Sequence, residues 1–291
     1  GSAATLQVTA DTTAITMADG SIRTDTGAII YQAATNVVLS QLISTTAAIT
    51  VTADSDNNDT GSITDIRSTE AANLSTSGTV TLTAATGIGA TDDDLDTTVG
   101  TLTAINSTSG DIYVQESDGL IIGGSGVITQ AGNGAIDIDV DAGDLTVAQE
   151  VTAHGSGQVT LNADAGTVAI NAVVRSSSGA IAITGDAVNQ NANMETGSAA
   201  TLQVTADTTA ITMADGSSSI TDTGAITYQA ATDVVLSQLT STSGAINVTA
   251  TAGAITDISS TEAANLSTSG TVTLIAATGM GTATADEDLD T

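Results

Sequence analysis

The chain contains a long internal duplication. Residues 1–21 (GSAATLQVTADTTAITMADGS) recur without a substitution as residues 197–217, and Ser68–Leu82 recurs unchanged as Ser260–Leu274. Self-similarity at a fixed period is typical of repeat architectures, in which each structural unit stacks only on its neighbours. The fold must therefore be one that grows by adding units along an axis.

The duplication divides the chain into a first long repeat, residues 1–196, and the first half of a second copy, residues 197–291. Even the acidic run Asp92–Thr97 (DDDLDT) returns as Asp286–Thr291 (DEDLDT). Because the first run continues directly into further repeat sequence, we expect the chain to be a segment of a longer repetitive protein. Both parts should belong to one continuous structure.

Short stretches in which apolar and small polar residues alternate occur along the whole chain. Examples are Ala135–Asp141 (AIDIDVD), Thr167–Ile170 and Ala180–Ile183, and turn pairs such as Asn133-Gly134 separate them. Alternation with a period of two is typical of half-buried β-strands. No stretch has a capped apolar stripe with a period of 3.6 residues, so we predict an all-β fold with very little helix.

Two all-β architectures fit this spacing, a string of immunoglobulin-like sandwiches and a parallel β-solenoid. A sandwich needs bulky side chains to fill a core about 10 Å thick, whereas this chain is 1% aromatic and lacks Phe and Trp. The absence of Pro favours coils that donate ladder hydrogen bonds to neighbours. If a coil takes about 20 residues, the chain forms a parallel β-solenoid (β-helix) of about 14 coils, each about 4.8 Å from the next, and this is the fold that we predict.

The alternation also predicts which side chains face the interior. The outward set is Asp137, Asp139 and Thr160. The inward set consists of aliphatic residues: Ile136, Ile138, Leu161, Val168, Ile170, Ile181 and Ile183.

Runs of the form Ser-Gly followed by alternating apolar residues carry a resemblance to a known group. Ser177–Ile183 (SSGAIAI) and Thr76–Leu82 (TSGTVTL) are similar to the coils of filamentous-haemagglutinin-like bacterial surface proteins. That resemblance implies a right-handed parallel β-helix and a place in a large secreted protein at the bacterial cell surface. It does not imply a particular receptor or glycan.

The charge of the chain limits its partners. The formal net charge is −30, with 33 acidic residues and only three basic ones, Arg23, Arg67 and Arg175. Nucleic acid is excluded as a partner because phosphate binding needs clustered Lys and Arg. The longest apolar stretches, such as Leu120–Ile122, are too short to span a membrane.

The acidic run and its second copy form the main candidate binding site. Several carboxylates within five residues repel one another, and a hard cation with oxygen ligands, typically Ca²⁺, relieves that repulsion. The alternative is a solvated acidic loop, and the run taken alone favours this alternative. The candidate ligands are Asp92, Asp93, Asp94, Asp96, Asp286, Glu287, Asp288 and Asp290.

A second candidate is the polar insertion that contains Asp54, Asp56 and Asn58. These residues occupy positions 1, 3 and 5 of a loop that resembles an EF-hand loop, but the Gly required at position 6 is Asp59. The second copy replaces the insertion with the shorter Thr251–Gly253, so an ordinary exposed loop is the simpler interpretation.

Catalysis has little support in the sequence. The single histidine, His154, lies in a Gly/Ser-rich turn, and the chain has no Cys and no Lys. A Ser–His–Asp arrangement or a zinc site needs more than this. We expect no catalytic residues and no cofactor other than Ca²⁺.

We therefore expect a structural protein that builds an extracellular filament, sheath or surface layer, with copies of itself as the main partner. The alternative is a stalk that spaces a receptor-binding domain outside this segment. Ice binding through threonine pairs is a third possibility, although the spacing of Thr50, Thr52, Thr79, Thr81, Thr101 and Thr103 is irregular.

Overall fold

The computed structural model describes residues 4–258, 264–281 and 288–291. These residues form thirty strands and no helix, and every strand pairing between them is parallel. The chain is a β-solenoid of about 12 turns. The predicted fold class is therefore confirmed.

The strands are numbered in chain order. The first ten are β1 (Leu6–Ala10), β2 (Ile15–Thr16), β3 (Ile22–Asp25), β4 (Ile29–Ala33), β5 (Val37–Leu39), β6 (Gln41–Ser44), β7 (Ile49–Thr52), β8 (Ile63–Asp65), β9 (Leu74–Ala84) and β10 (Leu95–Asn106). The next ten are β11 (Ile112–Glu116), β12 (Leu120–Thr129), β13 (Ile136–Val140), β14 (Leu145–Val147), β15 (Val151–Ala153), β16 (Val159–Ile170), β17 (Val174–Ser176), β18 (Ile181–Gln190), β19 (Met194–Thr196) and β20 (Leu202–Ala206). The last ten are β21 (Ile211–Met213), β22 (Ser218–Thr221), β23 (Ile226–Ala230), β24 (Val234–Leu236), β25 (Gln238–Ser241), β26 (Ile246–Ala250), β27 (Ala254–Asp257), β28 (Leu266–Ser267), β29 (Val272–Ala276) and β30 (Gly279–Met280).

Residues that pair in register on successive coils form a column, and the number of residues in one continuous column gives the number of turns. Each member pairs with the next one: Ile15, Val37, Ile63, Ile88, Ile112, Ile136, Val159, Ile181, Leu202, Ile226, Ile246 and Val272. Successive members are 20 to 26 residues apart, as between Ile226 and Ile246 or Val37 and Ile63. Coils are therefore longer than the 20 residues assumed from the sequence, which is why the predicted count of 14 was too high.

The interior is a continuous stack of aliphatic side chains. All seven residues predicted to face inward, Ile138 among them, are at most 1% exposed, whereas Asp137, Asp139 and Thr160 are half-buried. Apolar side chains pack on their own kind from coil to coil, so a narrow core forms without large aromatic residues. The predicted register is confirmed.

Glycine at the start of a coil lets adjacent backbones approach closely. A Cβ atom at Gly157 would lie 1.9 Å from the carbonyl oxygen of Gly134, and one at Gly179 would lie 2.0 Å from that of Gly157. Only a residue without a Cβ fits at such a contact. The Ser-Gly runs seen in the sequence are therefore stacking positions as well as turns.

We expect Gly157→Ala to destabilise the protein by about 1–3 kcal/mol, because the methyl group must push two coils apart. Gly119→Ala is the control, since the heavy atom nearest to a Cβ built there, apart from those of the adjacent residues, is the carbonyl oxygen of Asp144 at 3.4 Å, which is an ordinary contact distance. Urea denaturation followed by circular dichroism measures both variants. Equal stability of the two variants would contradict the close-approach argument.

The sequence repeat is out of phase with the coils. Strands β1 and β20 have the same sequence, LQVTA. Strand β20 nevertheless lies in the column that begins at Ile15 of β2, and β1 lies in a different column that continues through β4, β7, β9 and β10. The second copy is therefore displaced among the columns, and β21, the copy of β2, lies in the column that begins at β1.

The displacement arises where the columns merge and divide. The start of β10 pairs with the end of β11 (Leu95 with Val114, Thr97 with Glu116), so two columns become one. The column of β10 then divides, because β12 pairs onward with both β14 and β15.

A fully buried acid stabilises this junction. The Glu116 side chain is 0% exposed. Its carboxylate accepts hydrogen bonds from the backbone N of Val99 (3.0 and 3.1 Å), from Thr97 Oγ1 (2.7 Å) and from the backbone N of Asp118 (3.3 Å). The carboxylate thus accepts hydrogen bonds from backbone N–H groups, as the carbonyl groups of the next coil do elsewhere in the ladders.

Candidate metal centre

The first acidic run lies in the turn that leads into β10. Ala90 and Asp93 exchange backbone hydrogen bonds of 3.0 and 3.1 Å and close this turn. Asp92 and Asp93 point to solvent, Asp94 is half-buried, and Asp96 in β10 is only 7% exposed. The four predicted ligands therefore separate into an exposed pair and an inner pair.

The inner pair meets a third acid from the preceding coil. Carboxylate oxygens of Glu70, Asp94 and Asp96 all lie within 4.8 Å of one another. Glu70 belongs to residues 66–72, which lie in the connection between β8 and β9. The sequence analysis missed Glu70, although the exact return of Ser68–Leu82 carries the same acid into the second copy as Glu262.

A buried asparagine holds Asp96 in position. Asn73 Nδ2 donates to the backbone oxygen of Ser40 (3.0 Å) and to Asp65 Oδ1 (2.5 Å), and Asn73 Oδ1 accepts from the backbone N of Asp96 (2.9 Å). These bonds join three consecutive coils through one side chain. Because Asn73 is fully buried, each bond replaces solvation that the backbone has lost.

The second copy repeats this arrangement. Asn265 Nδ2 donates to the backbone oxygen of Ser237 (2.8 Å) and to Asp257 Oδ1 (2.7 Å), and Asn265 Oδ1 accepts from the backbone N of Asp290 (3.0 Å). Asp288 and Asp290 are described by the structure, whereas Asp286 and Glu287 lie outside the described residues.

The electrostatic environment disfavours ionised carboxylates at the first cluster. Burial, together with the charges of Asp94, Glu70 and Asp65, raises the pKa of Asp96 to about 7, and the charge of Arg67 opposes this rise. Burial and the charge of Glu70 also raise the pKa of Asp94. The negative charge of this cluster is thus only partly compensated by protein groups.

The inner carboxylates lack hydrogen-bond donors. Among the described residues, no donor bonds to the carboxylate of Asp96, and Asp94 Oδ1 is buried without a partner. Two guanidinium nitrogens of Arg67, Nε and Nη1, are also buried without partners. Asp96 and Glu70 line a cleft of about 90 Å³ that also includes Thr97, Gln115 and Asp141.

A neighbouring acidic group is built differently. Carboxylate oxygens of Asp139, Asp141 and Asp164 also come within 4.8 Å of one another. Amide groups bind all three: Gln115 Nε2 donates to Asp141 Oδ1 (2.7 Å), and Asn162 Nδ2 donates to Asp139 Oδ1 (2.8 Å) and Asp164 Oδ1 (2.6 Å).

Acids and amides in fact alternate along one ladder. Asp96 pairs with Gln115, Gln115 with Asp139, and Asp139 with Asn162. The amides separate carboxylates that would otherwise stack on successive coils about 4.8 Å apart.

The Asp54 loop binds its own polar groups. Asp54 Oδ1 accepts from the backbone N of Asn58 (2.8 Å), Asp56 Oδ2 accepts from Asn58 Nδ2 (2.9 Å), and Asn58 Oδ1 accepts from the backbone N of Thr60 (3.1 Å). Asp54, Asp56 and Asp59 do not form a three-carboxylate group like the one at Glu70. This geometry is that of a compact polar turn.

Two other features noted in the sequence have simple surroundings. His154 is exposed, with Nδ1 2.9 Å from the backbone oxygen of Gly132. Thr50, Thr81 and Thr103 stand in register on three coils, and Ile30 precedes them in the same column. The threonine array is therefore short.

Comparison of the chain with protein-family models, with curated proteins and with solved structures finds no significant match in any of the three. Within the described ranges, none of the secondary structure is a helix that could cross a membrane.

Proposed function

We propose that this chain is a structural, non-enzymatic element of an extracellular filament, sheath or surface layer, and that it assembles by pairing one end of the solenoid with another copy or with further repeat sequence. A bacterial cell surface is the setting that the resemblance to haemagglutinin-like proteins favours. The proposal depends mainly on one comparison within the molecule.

That comparison is between identical residues in two environments. Leu202, Val204 and Ala206 of β20 are at most 1% exposed, because coils cover both of their sides. Leu6 and Val8, their counterparts in β1, are only partly buried at the N-terminal edge.

The C-terminal edge shows the same contrast more strongly. Val80 and Ile88 are 0% exposed, whereas their counterparts Val272 and Met280 are 36% and 48% exposed. Ile275 in the same edge coil is 56% exposed. One more coil would bury Val272 and Met280, as β10 buries Val80 of β9, whereas Ile275 lies on the outer face in register with Thr249.

An open coil edge also carries unpaired backbone groups. A row of free N–H and C=O groups is a template for adding another strand, and solenoids without capping units associate through such ends. Apolar exposure and unpaired backbone therefore favour the same event, stacking of a further coil.

We expect the 291-residue chain to form rods that lengthen with protein concentration in steps of about 55 Å, the length of one solenoid. Light scattering coupled to gel filtration measures the mass, and negative-stain microscopy measures the length. Val272→Glu combined with Met280→Glu should shift the distribution to single rods, because charge at the edge blocks stacking.

Ile121→Glu is the matched control, since Ile121 is 45% exposed on the side of the rod. This variant should still lengthen. Single rods of wild-type protein at every concentration would overturn assembly through the ends and would favour the alternative, a stalk that separates a binding domain from the surface.

A further inference from the structure

We propose that Glu70, Asp94 and Asp96 form a Ca²⁺ site that fastens residues 66–72 to the start of β10. The site joins two successive coils on the flank of the solenoid. This inference is independent of the proposed assembly through the ends.

The distances suit a single ion. Ca²⁺ contacts its oxygen ligands at about 2.3–2.6 Å, so two ligand oxygens on one ion lie at most about 5 Å apart. Oxygens of the three carboxylates lie within 4.8 Å of one another. One ion among them reaches all three, and the cleft of about 90 Å³ beside Glu70 and Asp96 leaves room for water ligands.

An independent observation is the isolation of Asp96. Asp96 as a residue is only 7% exposed, and its side chain lines the cleft without receiving a hydrogen bond from any described residue. A buried carboxylate without a partner costs several kcal/mol. Glu116 and Asp65, the other deeply buried acids of this region, do receive hydrogen bonds. Asp96 lacks the partner that a cation would provide.

Arginine does not supply that partner. Arg67 is close enough to affect Asp96 electrostatically, yet its Nε and Nη1 atoms have no hydrogen-bond acceptor. In the second copy Ser259 stands in place of Arg67, while the three acids return as Glu262, Asp288 and Asp290. The acidic triad is therefore retained where the arginine is not.

The donor atoms select the kind of ion. All three side chains offer carboxylate oxygens, and the chain has no Cys and only one His, which lies in a different turn. Oxygen-only sites favour hard cations over zinc or copper. Ca²⁺ accepts bidentate carboxylates and irregular geometry, whereas Mg²⁺ demands a nearly ideal octahedron.

Calorimetric titration of the metal-free 291-residue chain with CaCl₂, at constant ionic strength, tests the site. Glu70→Gln combined with Asp96→Asn should bind one Ca²⁺ fewer than wild type. The matched control is Asp92→Asn combined with Asp93→Asn, which removes two charges from exposed positions of the same run. The control should keep the stoichiometry and change the affinity less than about fivefold.

Hydrogen exchange of the wild-type chain provides a readout without substitutions. Saturating Ca²⁺ should slow exchange in residues 66–72, and the same ionic strength of NaCl should not. If the double variant fails to fold, Glu70→Gln alone carries the titration, because Glu70 is exposed and outside the strands. Equal losses in the two variant pairs, no saturable binding, or unchanged exchange in residues 66–72 would each overturn the site.

Discussion

Replacing Asn73 with Ala should destabilise the solenoid by about 3–5 kcal/mol. The substitution removes two donated hydrogen bonds, to Ser40 O and Asp65 Oδ1, and one accepted from Asp96 N. Each buried polar group left without a partner costs about 1–3 kcal/mol. Three coils lose their common link in a single substitution.

Urea denaturation gives the overall change, and hydrogen exchange shows where it acts. Exchange should accelerate around Ser40, Asp65 and Asp96 and much less in the C-terminal coils, because repeat proteins open locally. Asn265→Ala should produce the same pattern around Ser237 and Asp257, whose bonds to Asn265 match those of the first copy.

Asn191→Ala is the control for this experiment. Within the part of the chain that the structure describes, the exposed side chain of Asn191 bonds only to another exposed amide, that of Asn171 (2.7 Å). Its loss should therefore cost less than about 0.5 kcal/mol. If Asn73→Ala proved as stable as Asn191→Ala, the proposed link between the coils would be wrong.

Stability should fall as the pH rises from about 5 to 8, the reverse of what paired carboxylates produce. Burial raises the pKa of Glu116 from 4.5 to about 7, although its hydrogen bonds from Thr97, Asp118 and Val99 oppose the rise. A group with a raised folded-state pKa contributes its full stability below the unfolded pKa and loses it as the pH passes the folded pKa. The two pKa values of Glu116 differ by an amount worth about 3 kcal/mol.

Other buried acids act in the same direction. Burial raises the pKa of Asp94, Asp96, Asp137 and Asp139 as well. At pH values between the unfolded-state and folded-state pKa of these acids, the folded chain thus binds more protons than the unfolded chain. Thermal melting in a chelator, at a series of pH values and constant ionic strength, measures the slope without interference from divalent cations.

Glu116→Gln isolates the part of the slope that belongs to the buried acid. The amide oxygen can still accept from Val99 N, so this variant should fold and lose less stability than wild type between pH 5 and 8. Glu150→Gln, at an exposed position, removes one charge as a control and should keep the wild-type slope. A wild-type slope in Glu116→Gln would show that this residue does not cause the pH dependence.

The local part of the fold could be read from the sequence because alternation acts over a few residues. The pattern AIDIDVD fixes that Ile136 and Ile138 face one side and Asp137 the other, whatever the length of the coil. Low aromatic content then selected a solenoid over a sandwich. The first argument depends on the pattern within single strands and the second on the overall composition, and both predictions are confirmed.

Contacts between coils could not be predicted in the same way. Residues become neighbours when they are one coil apart, and coils here vary from 20 to 26 residues. Glu70 and Asp96 come together across such an interval, and Glu70 lies outside the local pattern of the acidic run. Its return in the second copy as Glu262 was the available signal.

The role of Glu116 was hidden for a related reason. In sequence it ends an ordinary alternating strand, IYVQE. Only the merging of two strand columns at Val114–Glu116 leaves the Val99 N–H in need of a side-chain acceptor. Nothing in the local pattern distinguishes this acid from one at an exposed strand end.

The displacement between β1 and β20 means that a repeat in the sequence is not a repeat on the surface. The two strands share the sequence LQVTA but lie in different columns, so their outward side chains belong to different faces of the rod. The start of β10, which carries Asp96, and β28, which pairs beside Asp290, also lie in different columns. A flat surface or a second rod that lies along one side of this solenoid would therefore contact different parts of the two copies.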